Sequence, residues 1–192
     1  ASLDISVRQL EADNHDLARR WRLLAVFPAP FDRDAAAAVW GGEGEVPSEM
    51  PDLGADVPKE LREALAQLVA QRAGQKVNVP LPDDDARDSL SELHRRSLAD
   101  WDEKDSVYYL HDLLREYALT PPLPDGWDSA RRRHAAHYLQ VGAAANALYM
   151  EGKVMEGLRR FDAAWPHLRA AWDWMKAQGD DAAARWLSDF PG

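Results

Sequence analysis

Prolines constrain this chain more than any other feature. The 192 residues carry 12 of them, mostly grouped, and helical spacing returns between the groups. Pro28 and Pro30 bracket a turn. Pro47, Pro51 and Pro58 mark an acidic stretch, and Pro80 and Pro82 a further break. Pro121, Pro122 and Pro124 form the strongest interruption. Proline lacks the backbone N–H and its ring clashes with the preceding turn, so no helix is expected to run through that cluster. It places a domain boundary there, dividing the chain into residues 1–124 and 125–192.

Between these breaks the apolar residues step as they do on helices. Leu17, Trp21, Leu24 and Ala25 predict a helix from Asn14, a suitable N-cap, to about Val26. Asp32 is placed to cap a short helix through Ala35–Ala38 and Trp40 that Gly41-Gly42 stops. Gly42 to Asp56, with five acids and no basic residue, reads as a solvated loop. Pro58 suits the first turn of a third helix bearing Leu61, Leu65, Leu68 and Val69. The alternation of Val77, Val79 and Leu81 predicts an extended piece. A fourth helix follows Asp83-Asp84-Asp85, with Leu90, Leu93 and Ser97 in register.

Leu98–Trp101 and Ser106–Leu110 flank Asp102-Glu103-Lys104-Asp105, a pattern that predicts a β-hairpin. A helix over His111–Leu119 is expected to face the core through Leu113, Leu114, Tyr117 and Ala118. After Pro124 the chain reads as helical throughout. Ser129 suits the cap of a helix to about Met150, with a small-residue face of Ala135, Gly142, Ala143 and Ala145. Leu158, Phe161, Trp165, Leu168, Trp172 and Met175 then step 3, 4, 3, 4, 3, a stripe that needs a partner helix. Pro166 inside it predicts a kink or a break. Asp181–Phe190 reads as the start of another helix, although no clean repeat of about 34 residues appears.

Composition narrows the functional classes. There is no cysteine, which excludes a disulfide scaffold, a thiolate nucleophile and an iron–sulfur cluster, and suits a reducing compartment. The formal charge of −10 repels nucleic acid and anionic lipid at long range. No apolar run approaches the roughly 18 residues that span a bilayer, and the start at Ala1-Ser2-Leu3-Asp4 does not read as a signal peptide. A cytoplasmic piece of a longer protein is expected.

Catalytic signatures are missing. The Gly41-Gly42-Glu43-Gly44 cluster lacks the lysine of a P-loop and is followed by acids. No dinucleotide-binding glycine motif, nucleophile elbow or zinc-protease helix motif occurs, and nothing favours a dispersed hydrolase triad. His134 and His137, three apart on a helix, form a candidate metal pair without a third ligand, and Arg131-Arg132-Arg133 upstream opposes a cation. The plain reading is a partly exposed helix face with one histidine against Tyr138. Arg131–Arg133 and His94-Arg95-Arg96 read more simply as solvated helix faces than as nucleic-acid contacts. His111-Asp112 stands where a strand hands over to a helix. There an imidazole points outward beside the free N–H groups of the helix start and can donate to a phosphate oxygen; the plain alternative is that it only caps the corner.

Trp21 to Pro28, then Phe31-Asp32 and Ala35 to Trp40, resemble the opening of the winged-helix domain of STAND (NB-ARC-type) signalling ATPases. Leu93-His94-Arg95-Arg96-Ser97-Leu98 resembles the family's helix leading into the wing. Tyr109-Leu110-His111-Asp112-Leu113-Leu114-Arg115-Glu116-Tyr117-Ala118 is similar to its M-H-D stretch, with Leu110 in place of the usual methionine. Arg133 to Leu139 and Ala163 to Trp174 resemble the start of the helical region that leads toward TPR-like repeats. The family usually runs almost directly from the second to the third helix of the winged helix. Residues 42–85 therefore read as an insertion.

The resemblance implies a mainly α architecture: a winged helix-turn-helix domain with a small β-hairpin wing, followed by antiparallel TPR-like helices, truncated. It implies a non-catalytic regulatory region, with no catalytic residue and no metal ligand. His111 would touch the β-phosphate of ADP and Asp112 would orient the corner. Nucleotide with Mg would be held by an upstream ATPase core, the partner in cis, and no cofactor would belong to this stretch. A protein partner or ligand would act on the helical repeats; nucleic acid and membrane are not expected partners. Two alternatives stand: a DNA-binding winged helix reading through Arg87, Arg95 and Arg96, and a TPR-like protein-interaction scaffold working through its tryptophan-rich helices.

Overall fold

The computed structural model describes residues 2–45 and 59–179. The protein is mainly helical, with two small antiparallel hairpins. In chain order the elements are α1 (Ser2–Asp13), α2 (His15–Leu23), a 3-10 turn (Leu24–Val26), α3 (Arg33–Trp40), β1 (Gly42–Glu45), α4 (Lys59–Arg72), β2 (Lys76–Val79), α5 (Asp83–Arg95), β3 (Asp100–Asp102), β4 (Val107–Tyr109), α6 (Asp112–Ala118), α7 (Trp127–Met150) and α8 (Val154–Gln178). Two units cluster separately, Gly41–Val79 and the remainder, Ala1–Trp40 with Pro80–Gly192. Among the described residues, no helix is long and apolar enough to cross a membrane.

Local chemistry explains the ends of the helices. The Asn14 side chain accepts from the Leu17 amide at 3.0 Å and starts α2; Asp32 does the same for the Ala35 amide at 2.8 Å and starts α3. α5 stops in a Schellman motif. The Leu98 amide donates to the Leu93 carbonyl, the Ser97 amide donates to the His94 carbonyl, and Ser97 takes the left-handed conformation at φ 57°. Leu93 and Leu98 close that motif as a buried apolar contact. Ser97 thus ends the helix, where sequence spacing places it on a helical face. Asp83–Asp85 form the first turn of α5 rather than preceding it, and the Asp83 carboxylate reaches Arg33 of α3 at 2.7 Å.

The larger unit has a main apolar core and a small second cluster of Ala135, Ala171 and Met175 between α7 and α8. Trp21, Leu24, Phe27 and Phe31 meet Leu90 and Leu93 of α5, Leu114 and Ala118 of α6, and Tyr138 and Leu168 of α7 and α8. Burying each such side chain contributes roughly 1.5–3 kcal/mol relative to exposure. The two indoles of this core are satisfied: Trp21 Nε1 donates to the Leu98 carbonyl at 2.9 Å, and Trp40 Nε1 to the Arg20 carbonyl at 2.8 Å. The sequence carries no foreseen sign of α1, whose Val7 and Leu10 are fully buried.

Several expectations need correction. Gly42–Glu45 is not loop but strand β1, paired antiparallel with β2 from Gly42↔Val79 to Glu45↔Lys76. A Cβ on Gly44 would stand 2.5 Å from Val79 Cγ2, so a larger residue there would have to displace that exposed side chain. The rest of that acidic loop, Pro58 and the helix expected over Asp181–Phe190 lie outside the described residues. α7 begins two residues before Ser129, behind Gly126 at φ 82°, so Ser129 is not its cap. α8 is one helix through Pro166, so the break allowed for at that residue does not occur. Leu113 is 65% exposed rather than in the core.

The stripe on α8 is also rotated. Leu158 and Trp165 are 44% and 53% exposed, while Gly157, Ala164 and Ala171 are buried with Leu168 and Met175. At the start of α8 a small residue meets α7, while Leu168 and Met175 of the predicted stripe stay buried further along. A Cβ on Gly157 would lie 2.7 Å from the Ala145 carbonyl oxygen and 2.9 Å from the Tyr149 amide nitrogen. At that spacing the helix surfaces have no room for a side chain such as that of Leu158 in place of Gly157. The turn between α7 and α8 uses Gly152 at φ 85° in a second Schellman motif, closed by Lys153 N to Leu148 O at 3.0 Å.

Candidate functional site

The hairpin and the corner after it carry the predicted site. In β3–β4 the register is Asp100↔Tyr109, Trp101↔Tyr108 and Asp102↔Val107. The Asp102 carboxylate accepts from the amides of Lys104 and Asp105, which turns the chain. Tyr108 gives both its N–H and its C=O to Phe31, at 2.8 and 2.9 Å. Its pairing with Trp101 is therefore the type without mutual hydrogen bonds, in which side chains come closest. The two rings stand 4.5 Å apart.

His111 is the exposed N-cap of α6. Its Nδ1 accepts from the Leu113 amide at 3.4 Å, and its carbonyl accepts from the amides of Leu114 and Arg115 at 2.8 and 3.0 Å. With Nδ1 accepting, the neutral ring carries its proton on Nε2. Of the N–H groups expected to be free beside the ring, those of Leu113 and Leu114 are already committed to His111 itself. What the corner offers an anion is the imidazole. Asp112 is exposed in the first turn and makes no hydrogen bond to His111. Tyr109 and Leu113, two residues to either side of His111, are both exposed.

The corner is anchored from behind. Arg115 Nε donates to the Ala25 carbonyl at 3.2 Å. The Arg22 guanidinium donates to the carbonyls of Ala118, Thr120 and Pro122, gathering the end of α6 and the proline segment onto α2. Beside it lies an open groove of about 420 Å³ between α1–α2 and Pro122–Asp125. Its charges are mixed, Glu11 and Asp125 against Arg19 and Arg22.

Most of the basic residues are engaged within the chain, while Arg132 is exposed. Arg95 and Arg96 pair with Glu92, and Arg96 also with Asp13. Arg87 pairs with Asp84 and Asp88. Arg133 donates twice to the Val39 carbonyl near the end of α3, and Arg131 lies 5.3 Å above the Trp174 ring. His94 contacts the Ala99 carbonyl at 3.1 Å.

A second cluster is one that sequence reasoning half saw. His134 packs against Tyr138 at 4.9 Å, as its plain reading has it, but its Nε2 meets Nδ1 of His167 at 3.3 Å. His167 Nε2 in turn faces the Pro30 carbonyl at 3.0 Å. Donation to that carbonyl places a proton on His167 Nε2, and in the neutral ring Nδ1 then accepts from His134 Nε2–H. Tyr138 stacks flat on His167 at 3.9 Å, and Phe27 meets the rings of His134, Tyr138 and His167 edge-on. Burial, chiefly, pushes His134 down to about 3 and His167 down to about 4. Burial also raises the Tyr138 phenol well above its usual range. Among the described residues no group of three or more acids and histidines is placed to hold a metal, and His134 is turned toward His167. The buried role of His167 has no sequence signal beyond its place next to Pro166.

Comparison with protein-family models, with curated proteins and with solved structures finds no match to this chain.

Proposed function

We propose that the chain is a non-catalytic regulatory region of a STAND ATPase: a winged-helix domain joined to the first TPR-like helices. In this reading His111 donates from Nε2 to the β-phosphate of ADP held by an upstream ATPase core. That contact holds the resting state, and exchange for ATP releases it. Asp112 contributes charge at the corner rather than a hydrogen bond to the ring. α7 and α8, packed along each other, begin the sensor that answers a protein partner or ligand. The setting is cytoplasmic, with Mg-bound nucleotide belonging to the core.

The observation that carries this reading is the exposed imidazole at the junction of β4 and α6, with Nδ1 committed and Nε2 left as its donor. The order of helices around the β3–β4 hairpin supports it. The chain's own residues supply one contact to a nucleotide, not a binding site. A single charge-assisted bond contributes roughly 1.5–3 kcal/mol, too little for micromolar binding alone. Calorimetric titration of this chain with ADP should therefore show no micromolar affinity, and finding it would count against the reading. In a full-length parent, His111→Ala should shorten ADP retention and raise activity without stimulus. Normal retention and a silent resting state would refute the clamp.

A second reading is favoured by the outward face of α8. Met155, Leu158 and Trp165 are exposed there, which suits a protein-binding scaffold. The DNA-reading alternative has less support, because Arg87, Arg95 and Arg96 are each paired with a carboxylate.

A further inference from the structure

The two clusters described above meet at one dipeptide. Pro30 gives its carbonyl to His167 of α8. Phe31, the next residue, gives both its N–H and its C=O to Tyr108 of β4. Tyr108 lies three residues before His111. Phe27 stacks on Phe31 at 4.1 Å and touches both histidine rings, so the same short segment is gripped from two sides.

We infer that His134 and His167 are positioning residues for the hairpin corner: His167 holds the Pro30 carbonyl, this fixes the Phe31–Tyr108 bridge, and the bridge fixes the segment leading to His111. The bridge is a single residue pair with two hydrogen bonds. One peptide segment supplies both, so they form and open together. A pair that opens as a unit is the kind of element that the packing of α7 against α8 would bias, as coupling between distant groups requires. His134 sits on α7 and His167 on α8, so a change in the spacing of those helices acts first on the hydrogen bond between them. The inference goes beyond the nucleotide reading, since it concerns how the corner is held and not what docks against it.

Hydrogen exchange on the full 192-residue chain, without nucleotide, tests it. The readouts are the Phe31 and Tyr108 amides, which form the bridge. His167→Leu removes the donor to Pro30. It should speed exchange at those two amides by about five- to tenfold relative to amides inside α2 and α5, the effect of losing one net hydrogen bond. His167→Gln, whose amide can both donate and accept, should restore most of the protection. Leu168→Ala, which opens the core beside His167, should speed all these amides alike. If His167→Leu does not fold, His134→Leu removes only the outer link and should give a smaller rise at the same two amides. The inference is overturned if the two amides keep their protection in the histidine variants. It is equally overturned if Leu168→Ala gives the same selective pattern, or if Gln fails to rescue. ADP binding enters none of these measurements, so failure of the nucleotide reading would leave the result unchanged.

Discussion

Gly157 of α8 and Ala145 of α7 approach so closely that a methyl group on Gly157 would stand 2.7 Å from the Ala145 carbonyl oxygen. The obstacle is backbone on both counts, since the Tyr149 amide nitrogen is the next neighbour. Gly→Ala inside a helix normally gains up to about 1 kcal/mol. Here the overpacking cost of about 1–3 kcal/mol reverses the sign. Gly157→Ala should therefore lower the midpoint of urea unfolding. An unchanged or raised midpoint would show that the two helices can move apart freely.

Acid should weaken the fold before its carboxylates titrate. The folded values of about 4 for His167 and about 3 for His134 lie below the ordinary 6.5. Between those limits the unfolded chain binds protons that the folded chain refuses, so stability falls as pH drops below 6.5. Each histidine contributes up to about 1.4 kcal/mol per pH unit in that window. His137 and Arg131 add positive charge nearby and Asp32 opposes it. Replacing both His134 and His167 by Gln should make the slope between about pH 6.5 and pH 5 shallower, measured by denaturant titration, with His137, which burial also pushes down, keeping part of it. An equally steep slope in the double variant would contradict the buried neutral pair.

Trp21→Phe should cost about 1–3 kcal/mol although it keeps an aromatic ring. It leaves the Leu98 carbonyl without its indole donor inside the core. Thermal unfolding reads this directly, with Trp40→Phe as the partner experiment at the Arg20 carbonyl.

His111→Ala should change the stability of the chain by less than about 0.5 kcal/mol, because its capping bond is long at 3.4 Å and exposed. Asp32→Ala should cost about 1 kcal/mol, since its 2.8 Å bond to the Ala35 amide starts α3. This contrast matters for function: a phenotype of His111→Ala in a longer protein would then reflect docking rather than unfolding. A large loss of stability in His111→Ala would remove that distinction.

Caps, turns and strand alternation were legible in the sequence because they depend on neighbours. Asn14, Asp32 and the hairpin around Glu103 show this. The corner at His111 was legible for the same reason, since a strand-favouring run meets a helix start there. The amides next to it were misjudged, because their partner is the histidine itself. On α8 periodicity gave the right period and a rotated face. Hydrophobicity ranks Trp165 above Gly157, but the close approach of α7 admits only the smaller residue. The His134–His167–Pro30 contact spans more than a hundred residues of chain, and no local pattern announces it.

The shared core around Tyr138 and Leu168 limits how this chain can be taken apart. A cut at Pro124 would leave Ala130, Tyr138, Ala164 and Leu168 wet on one piece and uncover Phe27 and Val39 on the other. Each piece produced by itself would be sticky, and mixing the two should restore both. Whatever force a binding partner exerts on the last two helices is therefore borne by the whole body rather than by a slack tether.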